Sequence, residues 1–203
     1  MVRKACYHRD MTNAIILHGK PDPGQEEYYN PNFPSASNSH WLPWLQKQLL
    51  IHDIDAQTPE IPQAWKPQYK IWQKEFERYD ITPQTMLVGH SCGAGFLMRW
   101  LSEHPDVQVG PVVLVAPSLG ISWDAGDFFT FTMDPGLARR TQKLVIFNSD
   151  DDHEGIQQST KIIRDNIAGI KYREFHGYGH FCFSNMKTQE FPELRDELLA
   201  SAI

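Results

Sequence analysis

Residues 85–104 read TMLVGHSCGAGFLMRWLSEH, and their reading decides the fold. Residues 85–88 are apolar or β-branched with no polar alternation, the pattern of a strand covered on both faces. Residues 94–104 are rich in helix-forming side chains and end at Pro105, which cannot continue a helix. Between them lies Gly89-His90-Ser91-Cys92-Gly93, a G-x-S-x-G pattern at a strand-to-helix junction. Gly89 and Gly93 let strand and helix approach closely. The sharp turn then forces Ser91 into a strained backbone and lifts its hydroxyl above the sheet edge. The helix N-terminus behind it offers unpaired N–H groups and positive potential, which suit a developing oxyanion. An isolated G-x-S-x-G also marks ordinary Gly-Ser turns. The flanking strand and helix favour a nucleophile.

The same alternation runs along the chain. Segments 13–17, 111–116 and 143–147 read as buried strands, and 54–58 and 170–175 as weaker ones. Segments 41–51, 68–79, 94–104, 155–167 and 189–200 read as helices. This order implies an α/β fold with a mostly parallel sheet of about six strands and helices on both faces. Two long loops, 20–40 and 117–140, each follow a strand. Ligands bind outside the carboxyl ends of strands in such sheets, so both loops are expected to line a pocket. Phe128, Phe129 and Phe131 would supply one apolar wall. Trp41 and Trp44 are expected in the core. The length of 203 residues suits one domain spanning 1–203. Residues 1–10 lack apolar periodicity and are expected to be a disordered extension ahead of Met11.

Composition removes several classes. With 19 basic and 25 acidic residues the net charge is −6, which argues against nucleic acid and anionic membranes as partners. No apolar run is long enough to cross a bilayer. The basic start has no apolar segment of signal-peptide type before Asn13. Cys6, Cys92 and Cys182 are too few and too scattered for a disulfide framework, so a reducing cytoplasm is expected. The cysteine and histidine spacing gives no expectation of a metal site, and no cofactor is implied.

A serine is a weak nucleophile at neutral pH without a base, and the base needs an orienting acid. When the serine sits on a G-x-S-x-G elbow, the acid and the histidine follow it in that order. After segment 143–147 comes Asn148-Ser149-Asp150-Asp151-Asp152-His153, at a strand's carboxyl end. After the last strand comes Gly177-Tyr178-Gly179-His180-Phe181, where glycines would let a loop carry His180 back over Ser91. His18-Gly19-Lys20 ends the first strand. The N–H groups of Lys20 and Cys92 would form an oxyanion hole, with Gly19 permitting close approach. The Cys92 side chain turns into the helix and reads as packed, as does His90.

The stretches GHSCG (89–93), SDDD (149–152), GHF (179–181) and WLPWL (41–45) resemble the small serine hydrolases of the retinoblastoma-binding protein nine family, within the α/β-hydrolase superfamily. The resemblance implies a fold without a large cap domain and a triad of Ser91, Asp152 and His180. The family's Ser-x-Asp-Asp pattern places its second aspartate on Asp152, with Asp151 the alternative and the remaining aspartates solvated. The chain departs from the family at His18-Gly19-Lys20, at Asn148, which replaces a glycine, and at His153, which replaces a proline. The expected activity is esterase cleavage of a small-molecule ester. Peptidase or amidase chemistry with the same residues, and a binding protein on a hydrolase scaffold, are the alternatives.

Overall fold

In the computed structural model, residues 12–21 and 35–200 are described. The 1–10 extension and most of the 20–40 loop lie outside the described residues. The sheet contains β1 (Asn13–Leu17), β2 (Asp55–Gln57), β3 (Met86–His90), β4 (Val109–Val115), β5 (Thr141–Ser149) and β6 (Lys171–Phe175). All neighbours pair in parallel, in the order β2-β1-β3-β4-β5-β6. The main helices are α1 (Leu42–Ile51), α2 (Tyr69–Phe76), α3 (Cys92–Glu103), α4 (Glu154–Asn166) and α6 (Pro192–Leu199), with a single-turn α5 (Phe183–Met186).

The apolar strands serve two cores, because successive side chains point to opposite faces. Ile15, Leu17, Leu87, Val112, Leu114, Leu144 and Ile146 join α2 and α3 on one face. Ala14, Ile16, Met86, Val88, Val113, Val115, Val145 and Phe147 join α1 and α6 on the other. Aromatic residues fill the first core, where Trp72, Phe76, Phe96 and Phe128 pack mostly edge-on or tilted. No separate cap domain is present among the described residues.

The sequence-derived boundaries differ from the structure in instructive places. Strand β4 begins at Val109, two residues earlier than expected, because Val109 and Pro111 pair with Thr141 and Lys143 of β5 before β3 engages at Val112. Helix α2 stops at Phe76, so Tyr79 lies beyond it. Helix α6 begins at Pro192, where a proline's fixed φ and missing N–H cost nothing. The strand order reverses between β1 and β3, whose carboxyl ends meet at the Leu17–Gly89 register. Sites in open α/β sheets form at such a switch point.

Candidate active site

Ser91 sits between β3 and α3 with φ 52° and ψ −113°, a left-handed conformation for a side-chain-bearing residue. Its backbone is fastened on both sides. The Ser91 N–H donates to the Val115 carbonyl at 2.9 Å, and its carbonyl accepts from Gly95 and Ser118 N–H groups at 3.1 Å each. The glycines explain the tightness of the turn. A Cβ on Gly89 would lie 2.5 Å from the Ala94 backbone N, and one on Gly93 2.5 Å from the His18 carbonyl. Cys92 is the first residue of α3, so its N–H has no partner within the helix. Its thiol is buried and pushed well above the usual range by that burial, which leaves it inert as a nucleophile.

The turn after β1 closes over this elbow. A Cβ on Gly19 would stand 3.2 Å from the Ser91 Cβ. His18 fixes the turn: its Nε2 accepts the Ile61 N–H at 3.1 Å, so the proton sits on Nδ1, which donates to the Gly19 carbonyl at 2.6 Å. Burial holds the His18 ring below the usual histidine range, against smaller opposing effects of the Gly19 carbonyl and Glu60. The Lys20 ammonium lies 5.2 Å from the Trp123 ring centre, which ties this turn to the 117–140 loop.

The acidic loop and the histidine loop meet through all three aspartates. Asp150 Oδ2 pairs with His176 Nδ1 at 2.7 Å, and Oδ1 accepts the Gly177 N–H at 3.3 Å. Asp151 Oδ1 accepts the Ser149 hydroxyl at 2.5 Å and the Gly179 N–H at 2.8 Å. Asp152 Oδ2 and Oδ1 lie 2.9 and 3.1 Å from His180 Nδ1. Asp150 and Asp151 were expected to be merely solvated. They are exposed, yet each fixes one step of the 176–179 loop. Asp152 differs in burial, its side chain being 1% exposed. Its Oδ1 also accepts the His153 N–H at 2.7 Å and lies 2.6 Å from His153 Nδ1.

Two further histidines hold this loop, His90, for which the sequence suggests packing alone, and His40. His90 donates its Nε2–H to the His180 carbonyl at 2.8 Å, so the residue preceding Ser91 grips the loop that bears His180. Burial, then the neighbouring His180 and His40, hold His90 well below the usual range, and it stays neutral. His40 Nδ1 accepts the Phe183 N–H at 3.2 Å. Burial lowers its pKa to about 4. No local sequence pattern marks these contacts, because each joins residues 90 or more positions apart.

The apolar wall needs correction. Phe128 is fully buried and packs on Tyr69, Trp72 and Phe96 in the core. Phe129 and Phe131 are only partly buried, and Phe129 contacts Trp123. Trp41 is core as expected.

A parallel sheet with this strand order, a strained serine at the β3–α3 turn and an Asp–His pair on the β5 and β6 loops define an α/β hydrolase. A family model described as "Serine hydrolase" matches residues 29–196. The chain belongs to that family. It is 28% identical to the YdeN protein of Bacillus subtilis (strain 168) over 165 residues, covering 77% of this chain and 86% of YdeN. The crystal structure of YdeN superposes with a TM-score of 0.77 over 94% of this chain and 98% of YdeN, at 22% identity. Est1E from Butyrivibrio proteoclasticus, solved with ferulic acid bound, shares the fold at a TM-score of 0.58 and 11% identity, over 94% of this chain and 89% of that one.

Proposed function

We propose that this hydrolase is an esterase acting on small carboxylic esters. Ser91 Oγ attacks the acyl carbon while His180 Nε2 takes its proton. Asp152 keeps the other His180 proton on Nδ1 and stabilises the imidazolium. The N–H groups of Lys20 and Cys92 receive the oxyanion. His180 returns the proton to the leaving alcohol, and a second cycle with water releases the acid and restores Ser91. The observation that carries the reading is the buried Asp152 carboxylate at 2.9 Å from His180 Nδ1, on a loop whose His180 carbonyl is held by the residue next to Ser91. Est1E holds a carboxylic acid, the product class of ester cleavage, on the same scaffold. The absence of a cap domain among the described residues supports small substrates over lipid aggregates.

The test is a series of p-nitrophenyl esters of rising acyl length, beside a matched anilide. Short esters are expected to be cleaved fastest, with the anilide far slower. A preference for long-chain emulsions, or an anilide rate equal to the ester rate, overturns the assignment.

A further inference from the structure

Asp152 has a second neighbour that the triad does not use. His153 sits on the solvent side of the carboxylate, with 59% of its side chain exposed. Its ring meets that of His180 edge-on at 4.7 Å between centres. Among the described residues, Asp152, His153 and His180 form the one trio whose candidate ligand atoms all lie within 4.8 Å of one another. The spacing of the chain gives no hint of this. His176 and His180 stand four residues apart, as metal-binding pairs often do, but on a loop that turns them to different aspartates.

We propose that this trio is a binding site for a divalent first-row transition cation, and that occupancy switches the enzyme off. Two imidazoles and one carboxylate suit Zn²⁺ and its neighbours, whereas Ca²⁺ and Mg²⁺ want all-oxygen shells. Metal–ligand bonds of about 2.0–2.2 Å place tetrahedral ligands a little over 3 Å apart. The two carboxylate–imidazole separations, 2.6 and 2.9 Å, are already that short. Closing the remaining gap falls to the exposed His153 ring, the freest member of the trio. Water completes the shell from the open side.

The inhibitory half rests on the proposed triad, and follows from proton bookkeeping. Catalysis needs the His180 proton on Nδ1 and a lone pair on Nε2. A metal on Nδ1 takes the lone pair there, so the single proton of the neutral ring moves through water to Nε2. No proton is lost overall, but Nε2 can no longer accept the Ser91 proton. The Asp152 carboxylate is drawn from histidine to metal in the same step.

The test uses chelator-stripped full-length protein and Zn²⁺ alone. Equilibrium dialysis is expected to give one Zn²⁺ per chain for wild type and for Ser91→Ala. His153→Ala and Asp152→Asn should each bind at least about tenfold more weakly, a loss no smaller than that for disturbing an outer-shell partner. In parallel, Zn²⁺ should suppress wild-type ester hydrolysis with the midpoint of the binding curve, and EDTA should restore it. His153→Ala, compared with its own metal-free rate, should need at least about tenfold more Zn²⁺. Equal Zn²⁺ binding by wild type and both variants overturns the site. Stoichiometric binding that leaves hydrolysis unchanged overturns the switch. Absence of hydrolysis in metal-free wild type would instead strike the esterase reading, while the dialysis arm still decides the site.

Discussion

Asparagine at position 152 should disable the enzyme by a tautomer change with no loss of fold. Asp152 Oδ1 accepts the His153 backbone N–H at 2.7 Å, and that bond keeps an oxygen in the Oδ1 place after substitution. The new amide nitrogen then occupies the Oδ2 place, 2.9 Å from His180 Nδ1. An amide N–H cannot accept from Nδ1–H. The retained Oδ1 also lies 3.1 Å from Nδ1, but it is the farther oxygen and already holds the His153 N–H, so the imidazole should carry its proton mainly on Nε2, where it cannot act as base toward Ser91. The comparable change in serine proteases costs about 10⁴-fold in rate, or ~5.5 kcal/mol of barrier. Position 151 responds differently. Asp151 Oδ1 accepts the Ser149 hydroxyl and the Gly179 N–H, and an asparagine keeps an oxygen acceptor in that place. Asp151→Asn should stay within about tenfold of wild type, ~1.4 kcal/mol. Asp151→Ala strips the acceptor and loosens the histidine loop, which should lower the urea midpoint relative to Asp151→Asn. Asp150→Ala removes a solvent-exposed pair with His176, which water screens, and should change stability little. The assay is kcat/KM on one activated short-chain ester, with urea denaturation of each variant. If Asp152→Asn stays within about tenfold of wild type while Asp151→Asn collapses, the orienting acid is Asp151 and the reasoning fails.

Two further outcomes concern the scaffold. Gly93→Ala would drive a methyl to within 2.5 Å of the His18 carbonyl and 2.8 Å of the Leu17 carbonyl, both backbone atoms. It should cost about 1–3 kcal/mol and lower Tm by several degrees, and an unchanged Tm by calorimetry would contradict the packing. Acid should weaken the fold through His18 and His40, both held below their unfolded pKa of 6.5. The unfolded chain binds these protons first, so their contribution is complete above pH 6.5 and falls as pH drops toward 4. For His40, lowered to about 4, the loss is about 3 kcal/mol. Denaturation midpoints at pH 7.5, 6 and 5 should decline in that order, and a flat series would refute the buried neutral histidines.

The fold was legible because its four central strands have apolar, buried runs and its turns use residues with few alternatives. Segments 13–17 and 85–88 admit little but buried parallel strands, and Gly89 and Gly93 leave room for little but a tight elbow. The candidate site's serine and histidine were legible for the same local reason, each standing close to glycines just beyond a strand. What supports them was not. His18, His40 and His90 act across the fold, each on a backbone group far away in sequence. The three consecutive aspartates looked like a solvated turn because their partners, 176–180, come from a later strand's loop. Phe128 was misplaced because a run of aromatic residues in a loop gives no sign of which ring turns inward. Strand ends shifted where pairing on one side outlasts pairing on the other, as at Pro111.

The central claim is that Ser91, strained at the turn between β3 and α3, is the activated nucleophile. A fluorophosphonate probe tests it with no knowledge of the substrate. Wild type and Cys92→Ala should label with one adduct per chain, located by mass spectrometry on Ser91, and Ser91→Ala should not label. Labelling that persists in Ser91→Ala, or that disappears in Cys92→Ala while the fold is intact, would contradict it.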